Sequence, residues 1–564
     1  MKVCRSTRQF YLVLMSLSVA FSYIDESNIG DAYDESLQKY QAVLSGIDEL
    51  ERIALNKPKP NIPEGLPNVT DGTTASYVQS RPKSVIQQLP TGLVTSLDKD
   101  KDLADIANLV LTEEILPNAN TTGSVIQKSW GALSKAMTYG SQPAYCFYTQ
   151  HGNYFGADFK LPYIKDVILE AGKVYDKDCN VIFLRAWYQP SDIKYLIYRE
   201  KQLAKHGIKS GWRLDKLTQL EAKEKTDESK TPAEREKSLE TGGIQIIFAF
   251  QQGVGATFYG YSSDNNEVVY STINPDPRGI IPIHFIYHDM DMSNPIGRGA
   301  VELVAGLQNM LDSEMQMYQY AQALGLNPPL IKRGSFDTST IRFKVNAIWD
   351  LGADQNASIS PANISTNATN NFSNNYGLIK SQILNLNNSN DTSVSAEVGN
   401  PGFSKTDSGV KAQQERTGIS DNHLRKQFEG WFGDVCETML NVHFALSEGE
   451  KDVELTQEYI KRRKLEDPGF DKDTAVVDYN KKLKGFKFKV DASTSKLKDD
   501  EQSMENLKGI LELAQSDPEL GQIIRKDQLL KRMINKSGVD DPEELVIDVD
   551  QNNNGIADSE EQYE

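Results

Sequence analysis

The stretch Ala300–Leu324 sets the plan of this chain. It holds no proline and one glycine, and apolar residues fall at Val301, Val304, Leu307, Leu311, Met315 and Tyr318, in steps of three and four. Such steps put side chains on one face of an α-helix. A second apolar row, Leu303, Met310 and Met317, widens the stripe, so the helix is expected to touch neighbours on more than one side. Asn294-Pro295-Ile296-Gly297-Arg298-Gly299 reads as a turn before it, and Asn327-Pro328-Pro329 ends it. A short strand-like stretch follows, then an Asn-rich loop, then a returning helical segment over Tyr376–Leu386.

The surrounding chain is long enough, at 564 residues, for more than one domain and a sizeable core. Lys plus Arg is 61 and Asp plus Glu is 79, a net charge of −18. Such a surface does not hold nucleic acid tightly all over, though it suits a channel where tight binding would be a fault. Cys4, Cys146, Cys179 and Cys436 are scattered with no C-x-x-C pair, which argues against a disulfide scaffold or a cysteine zinc site.

Along the chain, Leu37, Tyr40, Leu44 and Ile47, with Leu50 and Ile53, predict one helix ending before Lys57-Pro58-Lys59-Pro60. Helices are also expected over Asp98–Leu116, Ser124–Thr138 and Ser191–Lys205. Tyr145–Tyr148 and Val181–Leu184 read as strands. Trp212–Lys237 is rich in lysine and glutamate, with a break at Thr226–Pro232. Ile244–Phe250, Thr257–Tyr261, Val268–Ile273 and Ile281–Tyr287 look like one small antiparallel set. Gly253, Gly255, Asp264-Asn265-Asn266 and Pro275–Gly279 supply its turns.

After the long helix, Leu330–Lys332 and Ile341–Leu351 read as strands around Gly334-Ser335, and Ala353–Asn375 as a loop. Asn387–Asp407 is rich in Asn, Ser and Gly, and Ser408 reads as the N-cap of the next helix. Leu424, Phe428, Trp431, Val435, Met439, Val442 and Leu446 form the strongest amphipathic pattern in the chain. Lys484–Val490 alternates as a strand, Glu501–Ala514 and Leu520–Ile534 read as helices, and the tail is acidic.

Catalytic signatures are missing. The sequence contains no G-x-x-x-x-G-K-[ST], no H-E-x-x-H and no G-x-S-x-G. Of six histidines only His284 and His288 lie close together, near Asp289 and Asp291, on and just after a predicted strand where four-residue spacing does not converge two ligands. Packed imidazoles are the expectation for these and for His443. Gly253 and Gly255 lack a following lysine at phosphate-loop spacing. The chain is therefore expected not to be an enzyme.

One motif fits a physical template. Asp550, Asn552, Asn554, Gly555 and Glu561 match D-x-[DN]-x-[DN]-G-x₅-E, with Asp558 at a further ligand position. Alternating oxygens and a bidentate glutamate are what Ca²⁺ takes. Only three residues follow Glu561, so two readings stand: a lone calcium half-hand, or an acidic tail without metal. At the other end Lys2, Arg5 and Arg8 precede the apolar run Phe10–Phe21, too short to span a membrane. It reads either as a signal peptide or as residues upstream of a true start at Met15.

The order of elements resembles the portal protein of tailed bacteriophages, the head-to-tail connector. Asp276-Pro277-Arg278-Gly279-Ile280-Ile281-Pro282-Ile283 looks like the strand before the first stem helix. Gly297-Arg298-Gly299 with Leu311-Asp312 looks like that helix. Pro328-Pro329-Leu330 and Arg333-Gly334 look like the way into the clip. Ser408-Gly409-Val410-Lys411 looks like the start of the helix after the tunnel loop. The likeness spans roughly residues 80 to 500 and is one of order and texture.

The resemblance implies an α+β, portal-like multi-domain subunit with wing, helical stem, small β clip and mostly helical crown, assembling as a ring. Residues 1–293 would be the N-terminal segment and wing, 294–326 the first stem helix, 327–371 the clip and 372–386 the second stem helix. Residues 387–407 would be the tunnel loop, 408–490 the tunnel-side helix and remaining wing, and 491–564 the crown and acidic tail. It further implies a homo-oligomer of about twelve subunits at one capsid vertex of the virion, assembled in the host cytoplasm. Its expected partners are double-stranded DNA in transit, a terminase motor, capsid and scaffolding proteins, and a tail adaptor, with no membrane. Lys405, Lys411 and Arg416 flank the loop as DNA-channel candidates, beside the plainer reading of surface charges. A competing reading is a secreted or surface calcium-binding interaction protein, supported by the N-terminus, sequons such as Asn68-Val69-Thr70 and Asn120-Thr121-Thr122, and the tail.

Overall fold

The computed structural model describes residues 24–60, 66–89, 92–96, 101–151, 154–205, 210–226, 243–263, 266–291, 293–326, 330–334, 358–361, 368–386, 407–455, 460, 474–479 and 488–492. All lie in one compact unit, Met1–Ser493; a second unit, Thr494–Glu564, is outside the described residues. The fold is mixed α+β.

The first expected helix is two, α1 (Ile29–Leu44) and α2 (Ile47–Ala54). They part at Ser45-Gly46, where a glycine inside a helix costs about 1 kcal/mol. Then come α3 (Thr73–Val85), β1 (Gly92–Ser96) and α4 (Lys101–Leu109), which widens into a π-helical turn over Val110–Ile115. Helix α5 (Val125–Tyr139) opens on a capping box: the Ser124 hydroxyl accepts from the Gln127 N–H, and the Gln127 side chain accepts from the Ser124 N–H. It ends at Gly140, φ +107°, where a Cβ would sit 2.5 Å from the Ile296 carbonyl oxygen, so only glycine fits.

Strands β2 (Ser141–His151) and β3 (Tyr154–Lys160) pair antiparallel. Strands β4 (Val167–Leu169), β5 (Val181–Tyr188), β6 (Ile244–Gln251), β7 (Thr257–Ser262) and β8 (Glu267–Ile273) form a five-stranded antiparallel meander in sequence order. Gly253 (φ +134°) and Gly255 (φ +73°) turn β6 into β7, the turn expected of them. Helices α6 (Pro190–Lys205) and α7 (Leu214–Thr226) cover one face, packing Ile193, Leu196 and Leu217 on Ile244, Ile246 and Val269. Helix α1 packs Tyr33, Tyr40 and Leu44 into the core that holds Phe183, Ile247 and Ala249.

The fourth expected strand of the set goes elsewhere. Strand β9 (Ile283–Tyr287) pairs with β2, Ser141 opposite Tyr287, and makes the three-stranded sheet β3-β2-β9. The turn before it is tied through Gly279 and Arg278. The Gly253 N–H donates to the Gly279 carbonyl at 2.7 Å, and Arg278 is held by Asp276, Glu437 and Thr438. The first bond fastens this turn to the β6–β7 turn, and the Arg278 contacts fasten it to residues 437 and 438. β9 is buried along its whole length.

The turn expected at 294–299 is instead strand β11 (Asn294–Arg298), in a hairpin with β10 (Asp289–Asp291). Helix α8 (Ala300–Leu326) starts at Ala300, as its apolar spacing predicts. Gly297, φ +69°, makes the break; a Cβ there would stand 2.5 Å from the Asp289 carbonyl oxygen. Strands β12 (Leu330–Arg333) and β13 (Ser358–Pro361) pair antiparallel, and helix α9 (Ala368–Leu386) starts four residues before 372. Part of the expected loop 353–375 is thus strand and helix. The Tyr318 ring stacks on Phe372 at 4.1 Å, and such packing outweighs the weak helix propensity of Asn and Ser. Residues 341–351 lie outside the described residues.

Helix α10 (Asp407–Leu446) begins one residue before Ser408. Leu424, Phe428, Trp431, Val435, Met439 and Val442 of its pattern are buried; Leu446 is exposed at its end. Eight of its buried residues, Leu424 to Leu440, join Ala132, Leu133, Cys146 and Phe159 in the largest core. Strands β14 (Glu450–Glu454) and β15 (Thr474–Asp478) form a hairpin ladder, and β16 (Phe488–Ala492) pairs with β1, some 400 residues away in sequence. Among the described residues no helix is long and apolar enough to cross a membrane.

Candidate functional site

Helix α8 carries three different faces, and the expected apolar stripe accounts for one. Val304 and Leu311 are fully buried against Ile379 and Ile383 of α9, with Leu307 and Tyr376 alongside. The two helices thus run as a pair joined through the β12–β13 ladder.

The second face is polar and buried. Gln308, Asp312 and Gln316, four residues apart, line one side of α8. The Gln308 side chain accepts from the Thr74 hydroxyl at 2.6 Å and donates to the Asp71 carbonyl at 2.9 Å. Asp312 accepts the Asp71 N–H and the Gln308 amide, both at 3.0 Å, with Arg52 at 3.9 Å. Gln316 donates to the Val69 carbonyl at 3.1 Å. Arg52 forks onto Glu49 and reaches Asn309 at 2.8 Å, and the Tyr376 hydroxyl donates to Asp71 at 2.8 Å. This seam ties the helix pair to α2, α3 and the loop between them. The four-residue repeat of Gln308, Asp312 and Gln316 is the signal of this face in the sequence.

The third face is the second apolar row. Leu303, Met310 and Met317 are 46, 56 and 66 % exposed. Seven residues turn a helix through almost two full turns, so the three stand in line. Gly306 lies open beside them, with nothing within 4 Å of an added Cβ. On α9, Leu378 and Leu386 are exposed as well.

Elsewhere, buried ionisable groups join elements outside the α8–α9 pair. Lys128 donates to Asp158 at 2.6 Å and to the carbonyls of Phe159 and Ala119 at 2.8 and 2.9 Å. His284 is buried on β9; its Nε2 meets the Thr438 hydroxyl at 2.8 Å, and its carbonyl accepts from the Trp431 indole. Burial pushes its pKa down to about 4, against the pull of Asp434. Asp176 accepts the Phe285 N–H at 3.1 Å, and burial pushes its carboxyl up to about 6. His443 Nδ1 accepts the Ala157 N–H at 3.3 Å, and its Nε2 faces Tyr479 at 3.3 Å and Glu114, on the π-helical turn, at 3.5 Å. Burial lowers its pKa.

His288 turns to the Arg298 carbonyl at 3.2 Å while His284 turns to Thr438, so the two do not converge. Among the described residues no group of three His, Cys, Asp or Glu is placed to hold a metal ion. Cys146, Cys179 and Cys436 are buried free thiols. Asp550, Asn552, Asn554, Asp558 and Glu561 lie outside the described residues, as do Lys405, the signal-like N-terminus and the loop 387–406. Lys411 and Arg416 fall on the first turns of α10; their side chains are outside the described residues.

No protein-family model matches the chain, and no curated protein matches it in sequence.

Proposed function

We propose that the chain is a portal subunit of a tailed bacteriophage, a non-enzymatic ring at one capsid vertex of the virion. In this reading α8 and α9 are the stem, β12 and β13 belong to the clip, and the meander with its helices belongs to the wing. Double-stranded DNA passes through the central channel during packaging and ejection. A separate terminase motor supplies ATP hydrolysis, since the chain has no phosphate loop, and a tail adaptor follows it at the same end. Capsid and scaffolding proteins surround the ring.

One observation carries the reading: the exposed row Leu303, Met310 and Met317 on a helix whose other faces are already filled. Aligned apolar side chains of this size seek a partner, and a ring gives each copy of α8 a neighbour through a repeated, closing contact. The net charge of −18 fits a channel wall that does not grip phosphate.

The test is electron microscopy of negatively stained, purified protein, alongside its mass in solution. Rings with a central hole are expected, and Met310→Asp with Met317→Asp should disperse them into folded monomers. A monomer of 63.0 kDa at every concentration, unchanged by that double substitution, overturns the reading.

A further inference from the structure

Helix α6 presents a charge pattern opposite to that of the whole chain. Its inner face is buried on the meander. On its outer face Lys194, Tyr198, Lys201 and Lys205 fall within about 60° of arc at 3.6 residues per turn, bordered by Tyr195. All five are exposed, the tyrosine rings at 64 and 61 %. From Ile193 to Lys205 the one carboxylate is Glu200, which is buried and accepts from Arg199 and Ser210. Among the described residues, Lys205 donates to Gln202 of its own helix at 3.5 Å. The outer face therefore offers positive charge and open aromatic rings; the helix's exposed carboxylate, Asp192, accepts the Gln189 N–H in the first turn, about 160° round the axis from Lys194.

The geometry points to a binding face for single-stranded nucleic acid. Lys194 to Lys205 covers about 16 Å of helix, enough for a few successive phosphates, and the two tyrosines one turn apart offer platforms on which unpaired bases stack. A duplex keeps its bases stacked on one another, so it would use the lysines and leave the rings idle. A lipid surface would need large aliphatic anchors on this face, and the exposed positions of α6 carry none. With −18 on the chain as a whole, binding would be confined to this face and depend steeply on salt. The inference does not rest on the ring reading.

The experiment is fluorescence anisotropy of a labelled oligothymidylate of about twelve nucleotides, titrated with the full chain at low salt. Binding is expected, with a duplex of equal length binding more weakly. Tyr195→Ala and Tyr198→Ala should each weaken it about ten-fold, whereas Tyr198→Phe, which keeps the ring, should not. Lys194→Gln with Lys201→Gln should reduce the slope of log affinity against log salt by about 1.4. All these side chains are exposed, so an unchanged thermal melt checks the fold of each variant. No anisotropy change, equal binding of the duplex, or alanine variants that bind like the parent would each overturn the proposal.

Discussion

His284 and Asp176 set opposing responses to acid, and replacing one exposes the other. His284 is neutral in the fold at pH 7, with a pKa of about 4 from burial, against about 6.5 in the unfolded chain. Between those values the unfolded chain binds a proton that the folded one refuses, so stability falls as pH falls. From pH 7 to pH 5 this costs about 2 kcal/mol, and the full window is worth about 3 kcal/mol. Asp176 works the other way. Its folded pKa of about 6 lies above the unfolded value of about 3.9, so the fold takes up a proton first. Acidification to pH 5 returns about 1 kcal/mol. The parent protein should therefore lose only about 1 kcal/mol over this range from the pair. His284→Gln keeps a polar partner for Thr438 and leaves the Trp431 bond to the backbone carbonyl in place. Its stability should rise by about 1 kcal/mol from pH 7 to pH 5, the reverse of the parent, because only the Asp176 contribution remains. Urea unfolding midpoints at pH 5, 6 and 7, compared between the two proteins, measure this. Parallel pH profiles would refute the argument, since they would mean that the imidazole titrates as freely in the fold as outside it.

Two further outcomes follow from the packing. Lys128→Met strips Asp158 of its cation and leaves the Ala119 and Phe159 carbonyls without that donor. It should cost about 3–5 kcal/mol in denaturant unfolding, and adding Asp158→Asn should recover part of the loss; a cost below about 1 kcal/mol would show that water reaches the pair. Gly279 and Gly255 share φ +73°, but a Cβ on Gly279 would lie 2.3 Å from the backbone of Gly253 and Val254, whereas one on Gly255 meets nothing within 4 Å. Gly255→Ala should cost about 1 kcal/mol from backbone strain alone and Gly279→Ala clearly more; equal shifts in melting temperature would discount the close approach.

Legibility in the sequence followed the range of the forces involved. The α10 pattern from Leu424 to Val442 and strands β5 to β8 of the meander are legible from residues close together in the chain, because one buried face imposes its period locally, while the three-residue β4 is too short to show one. The same reasoning started α8 at Ala300, where it begins, but read Asn294–Gly299 as a turn and missed the β10–β11 hairpin, in which Gly297 meets the Asp289 backbone. It also left β9 with the wrong partner, since its pairing with β2 joins residues more than 130 positions apart. The candidate site divided in the same way. The two apolar rows of α8 were both visible, but nothing in their spacing said that Leu303, Met310 and Met317 would stay open while Val304 and Leu311 closed on α9.

By itself the sequence determined that α8 is a long uninterrupted helix with apolar residues on two faces, and that α10 has a buried stripe, because side-chain direction along a helix depends only on position. The tertiary structure alone decided which row is covered, which strand β9 joins, and that Gln308, Asp312 and Gln316 grip residues 69–74 from over 230 positions away. Those outcomes turn on hydrogen bonds and contacts between distant segments, and such bonds form only where a partner group arrives to replace water.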